Sequence, residues 1–231
     1  MTADPRAPVA RLLAEAAARG QTVLAEHEAK RVLGAYGLPV TREILVTRRA
    51  EVGPAAAAVG YPVALKVSSP VVPHKSEEGL VRLAVADEAA ALEAFDALAA
   101  TLAGRPGGVL VQEMGPGRRE LAVGLMRDPD FGPCVMFGLG GVFTEALGDA
   151  VFRRAPLDAA DAADMLEEIR GRRLLTEIRG LPAADREALA GILIALGQIG
   201  LDHEAIGEID LNPVILAQAR PVVADALIVL R

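Results

Sequence analysis

The stretch that decides the fold lies between Val63 and Arg82 and reads VALKVSSPVVPHKSEEGLVR. It begins as an apolar strand that carries Lys66 near its end, passes through a polar loop with His74, and enters a second strand after Gly79. A lysine inside an apolar strand is costly to bury without an anionic partner. Lys66 is therefore predicted either to reach the surface or to meet a bound anion, and an anion such as phosphate is the favoured interpretation.

His74 stands beside Lys75 in this loop. A neighbouring ammonium disfavours the imidazolium and leaves a neutral ring nitrogen that can attack phosphorus or accept a proton. His74 is therefore a candidate catalytic nucleophile, and an exposed loop histidine without a role is the alternative. The other two histidines, His27 and His203, lack such neighbours and are expected to be solvated.

A second group of polar residues lies near the C-terminus, where Glu208, Asp210 and Asn212 alternate with apolar residues along a predicted strand. Side chains two apart on a strand share one face, so their oxygen atoms are predicted to converge. A hairpin that turns at residues 218–219 would place Asn212 directly opposite Asp225. Such oxygen atoms suit Mg²⁺ when phosphates and water complete the shell, and a solvated polar face is the alternative.

The order of strands and helices along the chain predicts an α+β fold with two lobes. The break falls near Glu113–Gly117, where a strand runs into a glycine-proline connection. Lobe 1 is placed at about residues 22–112 and lobe 2 at about 113–231, while residues 1–21 are interpreted as an N-terminal helical appendage. The glycines within Gly138–Gly141 form either a phosphate-binding turn or simply a tight one.

Composition narrows the possible functions. The 231 residues carry a net charge of -7 without a long basic block, which disfavours nucleic-acid binding. Apolar stretches fall short of the roughly 18 to 20 residues that cross a bilayer, so no membrane span is expected. A single cysteine and the lack of a secretory signal favour the cytoplasm. Only three of the 24 basic residues are lysines, at Lys30, Lys66 and Lys75. Two of them, Lys66 and Lys75, lie nine residues apart, which suggests that a compact ammonium is needed there.

Several short motifs follow one another along residues 22–231. In chain order they are Glu28-Ala-Lys30, Tyr36-Gly-Leu-Pro39, Gly60-Tyr-Pro-Val-Ala-Leu-Lys66, His74-Lys-Ser76, Gln112-Glu-Met114, Arg119-Glu-Leu121, Asp149 with Arg153, and Glu208-Ile-Asp-Leu-Asn-Pro213. As an ordered set they resemble the ATP-grasp domain of NDP-forming acyl-CoA synthetases, most closely the β subunits of ADP-forming acetate-CoA ligases.

The resemblance implies a two-lobed ATP-grasp fold that binds an adenine nucleotide. It implies that Lys66 contacts the nucleotide phosphates and that Glu113 and Met114 lie at the adenine. It further implies that Glu120 lies near the ribose and that Arg153 points toward the phosphates. The expected cofactors are ATP or ADP together with Mg²⁺.

The same resemblance implies that Asn212 and Asp225 hold the Mg²⁺, with Asp210 or Glu208 beside them. It also makes His74 a phosphohistidine that relays the phosphoryl group. The surrounding loop departs from the family, because the usual His-Lys-Ser-Asp-x-Gly-Gly reads His-Lys-Ser-Glu-Glu-Gly-Leu here. This departure concerns the geometry of the loop rather than the identity of the histidine.

The implied function is that of the nucleotide-binding subunit of an ADP-forming acyl-CoA ligase. Such a subunit is expected to work with a CoA-binding α-type partner subunit in a hetero-oligomer. Two alternatives remain at this stage. One is a non-catalytic ATP-sensing module in an acyltransferase-type assembly, and the other is a carboxylate-amine ligase in which His74 has no nucleophilic role.

Overall fold

The computed structural model describes residues 4–71, 79–115, 117–141 and 148–231. The smaller of its two compact units comprises Val23–Ala29 and Thr41–Met114, and the larger comprises Met1–Thr22, Lys30–Val40 and Gly115–Arg231. The boundary between Met114 and Gly115 falls within the stretch Glu113–Gly117. The division differs from the predicted lobes on the N-terminal side, since residues 1–22 and 30–40 belong to the larger unit.

The smaller unit contains a four-stranded antiparallel sheet in the order β1-β4-β2-β3 and two helices. The elements are β1 (Glu43–Val46), α3 (Val52–Val59), β2 (Val63–Ser68), β3 (Val81–Val85), α4 (Glu88–Leu102) and β4 (Gly108–Glu113), with a short 3-10 helix at Arg49–Glu51. Strand β2 pairs with a strand on each side, and all six of its residues are buried. Lys66 therefore lies on the most enclosed strand of this unit.

Helix α4 shows how local sequence sets an element of this unit. The side chain of Asp87 accepts a hydrogen bond of 2.9 Å from the N–H of Ala90 and caps the first turn. The apolar side of the helix buries Phe95 and Leu98 in the same core cluster as Leu65 of β2. The helix is thereby fixed against the sheet that carries Lys66.

The larger unit contains a six-stranded antiparallel sheet in the order β10-β8-β5-β6-β7, with β9 paired to β8. Its strands are β5 (Glu120–Asp128), β6 (Gly132–Leu139), β7 (Ala150–Arg154), β8 (Ile206–Ala217), β9 (Arg220–Val223) and β10 (Leu227–Leu230). Helices α5 (Ala159–Glu168) and α6 (Arg186–Asp202) pack on one face of this sheet, and a short 3-10 helix spans Arg172–Leu175. The α+β class predicted from the sequence is confirmed.

The C-terminal hairpin has the predicted register. Strand β8 pairs Val214 with Val223 and Ala217 with Arg220, and the turn lies at residues 218–219. Strand β8 continues from Ile206 through Asn212 and Pro213 to Ala217. The register between β8 and β5 shifts by one residue around Pro213. Proline has no backbone N–H to donate to a neighbouring strand, and the shift allows β8 to continue past it.

Helices α1 (Arg6–Ala18) and α2 (Glu26–Ala35) precede both sheets. The structure buries Val9, Leu12, Leu13 and Ala16 of α1, spaced as one helical face, so the N-terminal segment is a packed part of the larger unit. Helix α2 begins at Glu26. Its start is stabilised by the Glu28 carboxylate, which accepts a 3.0 Å hydrogen bond from the N–H of Ala25.

Loop 174–182 of the larger unit is held by a buried arginine. The guanidinium of Arg119 donates to the carbonyl oxygen atoms of Leu174 (3.0 Å), Thr176 (3.4 Å), Pro182 (2.7 Å) and Gln218 (2.8 Å). The fork of the guanidinium thus joins this loop to the hairpin turn. Across the described ranges, no helix is long and apolar enough to cross a membrane.

Candidate active site

Lys66 is 6% exposed on β2, where it pairs with Val81 on one side and Leu110 on the other. Its Nζ atom lies 3.3 Å from Oε1 of Glu26, which is itself buried in the first turn of α2. The anionic group beside Lys66 in the structure is thus the carboxylate of Glu26, which belongs to the chain itself. Sequence reasoning missed Glu26, although an acidic residue in the first turn of a helix was a visible signal.

Two histidines differ from their expected solvation. The Nδ1 atom of His27 lies 3.0 Å from Oγ of Ser68, which is fully buried two residues after Lys66. His203 is 6% exposed in the larger unit, and its Nε2 atom lies 2.9 Å from the hydroxyl of Tyr36. Burial lowers the pKa of His203, which favours the neutral ring. The solvation prediction was wrong for His203, whereas His27 is half-buried.

His74, the predicted nucleophile, and Lys75 lie outside the described residues. Their roles therefore stay predictions that rest on the sequence.

Glu113 ends β4 in the smaller unit. Its Oε1 atom accepts a 2.8 Å hydrogen bond from the N–H of Arg42, and its Oε2 atom accepts one of 2.7 Å from the Arg42 guanidinium. The carboxylate therefore fixes the end of β4 to the segment before β1. A role for Glu113 and the half-buried Met114 at an adenine would accordingly use their backbone groups.

Glu120 begins β5 in the larger unit and is exposed. The next strand approaches it closely at Gly140, whose N–H donates a 2.9 Å hydrogen bond to the Glu120 carbonyl oxygen. A Cβ atom at Gly140 would lie 2.8 Å from backbone atoms of Glu120 and Leu121. This close approach explains Gly140 as a packing requirement, which was the simpler of its two interpretations.

One face of the larger sheet is free of the helices and carries acidic side chains. Asp210 lies opposite Gly124 and Glu208 lies opposite Met126, while Ile209 and Leu211 are fully buried on the other face. The predicted alternation along β8 is confirmed. This face holds a cavity of about 410 Å³, whose lining includes Met126, Met136, Phe152, Glu208 and Asp210.

Asn212 and Asp225 follow directly on the β8–β9 ladder. The ladder ends at Val214 and Val223, and the N–H of Ala224 then donates a 3.0 Å hydrogen bond to the carbonyl oxygen of Pro213. Asn212 and Asp225 are the next residues in this register. Both are half-buried, so their oxygen atoms suit a hard cation that keeps water or phosphate ligands.

The acidic residues do not form a metal cluster by themselves. Among the residues that the structure describes, no group of three or more His, Cys, Asp or Glu side chains is arranged to hold a metal ion. Glu208, Asp210 and Asp225 are therefore not a convergent set of three carboxylates. The amide of Asn212 and oxygen atoms from a ligand would have to complete any Mg²⁺ site here.

Lys30 is a residue that sequence reasoning noted without assigning. It is 3% exposed, and its Nζ atom donates a 3.0 Å hydrogen bond to the carbonyl oxygen of Ala224, next to Asp225. This contact holds the segment that follows β9. The scarcity of lysine in the sequence was the signal that could have identified it.

Arg153 lies on β7 opposite the buried Val135, on the face that the helices cover. Its guanidinium pairs with the Glu168 carboxylate of α5, and this pairing raises the pKa of Arg153. Phe152 points to the other face, which carries Asp210. The structure therefore does not bring Arg153 to the face of the acidic residues, contrary to the direction that the resemblance implies.

Asp149, just before β7, is buried and accepts hydrogen bonds from the N–H groups of Arg170 (2.8 Å) and Gly171 (2.7 Å). Burial alone would raise the pKa of Asp149. The two N–H donors and the nearby Arg170 guanidinium outweigh burial and hold that pKa below its ordinary value of 3.8. The carboxylate thus anchors the segment after α5 to the start of β7.

These features define the class of protein. A model of the ATP-grasp domain family matches residues 15–230, and the chain belongs to this family. Over 230 residues it is 37% identical to the acetate–CoA ligase [ADP-forming] I subunit beta of Pyrococcus furiosus, covering 97% of this chain and 99% of that one.

Two further relatives have related names. The chain is 41% identical over 203 residues to acetate–CoA ligase [ADP-forming] I of Archaeoglobus fulgidus, covering 86% of this chain and 30% of that one. A structure of Ca. Korarchaeum cryptofilum dinucleotide forming acetyl-coenzyme A synthetase 1 matches with a TM-score of 0.85 and 43% identity, covering 96% of this chain and 100% of the other. That structure contains coenzyme A and Mg-AMPPCP, with its phosphohistidine segment pointing towards the nucleotide binding site. The resemblance to the ATP-grasp domain that the sequence motifs indicate is thus confirmed for the family and for the fold.

Proposed function

We propose that the chain is the nucleotide-binding subunit of an ADP-forming acyl-CoA ligase, which converts acyl-CoA, ADP and phosphate to a carboxylic acid, CoA and ATP and catalyses the reverse. The observation that carries the proposal is the end-to-end match to a separately encoded beta subunit, which leaves almost none of either chain uncovered. The buried Lys66 supports it, because a fixed ammonium is what phosphoryl transfer requires for charge neutralisation.

For the nucleotide, we assign Lys66 to the phosphates and the backbone of Glu113 and Met114 to the adenine. Glu120 is assigned to the ribose, supported by its exposed position at the start of β5. Arg153 is assigned to the phosphates as well, and in this role its guanidinium has to leave the Glu168 carboxylate.

For the cation, we assign Asn212 and Asp225 as ligands, with Asp210 beside them and Glu208 more remote at the exposed end of the same strand face. Mg²⁺ bound by these groups would neutralise phosphate charge during transfer. The Lys30 contact with Ala224 holds the backbone that presents Asp225.

His74 is assigned as the relay nucleophile. Acyl-CoA and phosphate first give an acyl phosphate and CoA. The ring nitrogen of His74 then forms a bond to phosphorus as the bond to the acyl oxygen breaks and the carboxylate leaves, and the phosphoryl group passes to a terminal oxygen of ADP to give ATP. In the opposite direction ATP phosphorylates His74 and releases ADP.

The partner is proposed to be a CoA-binding α-type subunit in a hetero-oligomer. The lengths of the relatives support this, because the chain spans 99% of a beta subunit but only 30% of an acetate–CoA ligase that is named without subunits. The remaining part of the ligase named without subunits is long enough for the CoA-binding part that this chain would obtain from a partner subunit.

The test is a phosphorylation experiment with the full chain and its CoA-binding partner. Incubation with [γ-³²P]ATP and Mg²⁺ should give an acid-labile, base-stable label on the wild-type chain that His74→Ala abolishes. His27→Gln is the matched control, since it removes a different histidine and keeps a group able to bond Ser68, and it should retain the label. A chain that binds ATP but never carries the His74-dependent label would instead be a nucleotide-sensing module.

A further inference from the structure

The ion pair between Lys66 and Glu26 is enclosed within the smaller unit. The side chain of Lys66 is 8% exposed and that of Glu26 is 0% exposed, with 3.3 Å between Nζ and Oε1. Charge-assisted hydrogen bonds of this kind are commonly about 2.7 to 2.9 Å long. The ammonium is therefore neutralised by Glu26 without being bound at the closest distance.

The carboxylate cannot withdraw into solvent, because the first turn of α2 is attached to β2 at two consecutive positions. Glu26 contacts Lys66, and the next residue, His27, contacts Ser68 at 3.0 Å. Lys66 and Ser68 are two apart on the strand and so share one face. These two contacts hold Glu26 beside the ammonium.

A lysine ammonium has three donors, so a phosphate oxygen can be bound while the contact with Glu26 persists. The attraction on that oxygen is reduced, because the Glu26 carboxylate already offsets the charge of the ammonium in surroundings of low dielectric. We propose that Glu26 is an internal counter-ion that competes with the nucleotide phosphates for Lys66 and holds their affinity below what Lys66 alone would provide. This inference rests on the proposed function, which assigns Lys66 to the phosphates.

The test compares nucleotides that differ in phosphate number. Glu26→Gln keeps the shape of the side chain and removes its charge, so titration calorimetry of the full chain with Mg²⁺ should show ATP and ADP binding about tenfold more tightly. The affinity for AMP should change less than about twofold, because its single phosphate brings less negative charge to the site.

Glu28→Gln is the matched control. It removes one carboxylate from the same helical turn, and the Glu28 carboxylate bonds the N–H of Ala25. Its ATP and ADP affinities should stay within about twofold of wild type, since a more distant charge is better screened. An equal gain in this variant would overturn the specific role of Glu26.

A double variant keeps the test valid if Glu26→Gln folds poorly with a buried ammonium. Glu26→Met combined with Lys66→Met replaces both charges by apolar side chains, and such a replacement of a buried ion pair is often neutral for stability. Its ATP affinity should equal that of Lys66→Met alone, because Glu26 acts through the ammonium. Tighter binding by the double variant than by Lys66→Met would overturn the inference.

The remaining outcomes separate the two proposals. If ATP and AMP affinities move together, or if ATP binding weakens in Glu26→Gln, the counter-ion role is overturned while the proposed function stands. If Lys66→Met leaves ATP affinity unchanged, the phosphate role of Lys66 fails, and this inference fails with it.

Discussion

Lys30 Nζ lies 3.0 Å from the carbonyl oxygen of Ala224, so a buried ammonium fixes the residue that precedes Asp225. Both residues belong to the larger unit, although 194 positions separate them in the chain. The contact connects the middle of α2 with the segment that carries a proposed metal ligand.

Lys30→Met should loosen this segment. Loss of a buried charged hydrogen bond costs about 1.5 to 3 kcal/mol, and the Mg²⁺ concentration for half-maximal ATP binding should rise. Urea unfolding and a Mg²⁺ titration of ATP binding measure the two effects. Arg31→Met, at an exposed position one residue on, should leave both unchanged. A normal Mg²⁺ titration in Lys30→Met would contradict the positioning of Asp225 by Lys30.

Asp149→Asn should lower the free energy of unfolding by about 1 to 3 kcal/mol at pH 7, because the N–H groups of Arg170 and Gly171 lose a charged acceptor. The folded-state pKa of Asp149 is depressed, so its contribution is complete above the ordinary value of 3.8 and is lost as pH falls through the lower folded value. The difference between wild type and variant should accordingly shrink below about pH 4 in urea unfolding curves. Asp164→Asn, at an exposed site on α5, should show no such difference.

Gly140→Ala should destabilise the chain by about 1 to 3 kcal/mol, because the new methyl group meets backbone atoms 2.8 Å away that cannot turn aside. Gly191→Ala provides the contrast, since α6 leaves open space there and the helix gains about 0.5 to 1 kcal/mol. Thermal melts of the two variants should therefore shift in opposite directions. Equal shifts would mean that β5 and β6 approach less closely at Gly140.

Arg119→Lys should release the loop from Leu174 to Pro182, because an ammonium cannot span four carbonyl groups arranged for a guanidinium. Faster amide hydrogen exchange across that loop is the expected signature. Arg118→Lys changes the exposed neighbouring arginine and should leave the exchange pattern as in wild type. Retained protection in Arg119→Lys would show that packing, rather than the fork, holds the loop.

Features with a short-range signal were accessible from the sequence. The hairpin register followed from strand alternation and a two-residue turn, and β8 and β9 have that register. The apolar strand that carries Lys66 was predicted from the neighbours of that lysine, and all six residues of β2 are buried.

The partners of the charged residues were not accessible, because they come from distant segments. Glu26 reaches Lys66 across 40 positions, and no local pattern specifies that meeting. Arg153 was assigned to the phosphates by resemblance. In the structure it lies on the face of β7 that α5 covers, and there it contacts Glu168. The burial of His203 was missed for the same reason, since its partner Tyr36 is remote in sequence.

The burial of lysine has a chemical consequence. Acyl thioesters and acyl phosphates transfer their acyl group spontaneously to free amines that solvent can reach, and acylation removes the charge of a lysine. Lys30 and Lys66 are only 3% and 6% exposed, whereas the exposed basic residues of the described ranges are arginines. A chain that works among activated acyl groups thus presents guanidinium groups to them and keeps these two amines out of reach of modification.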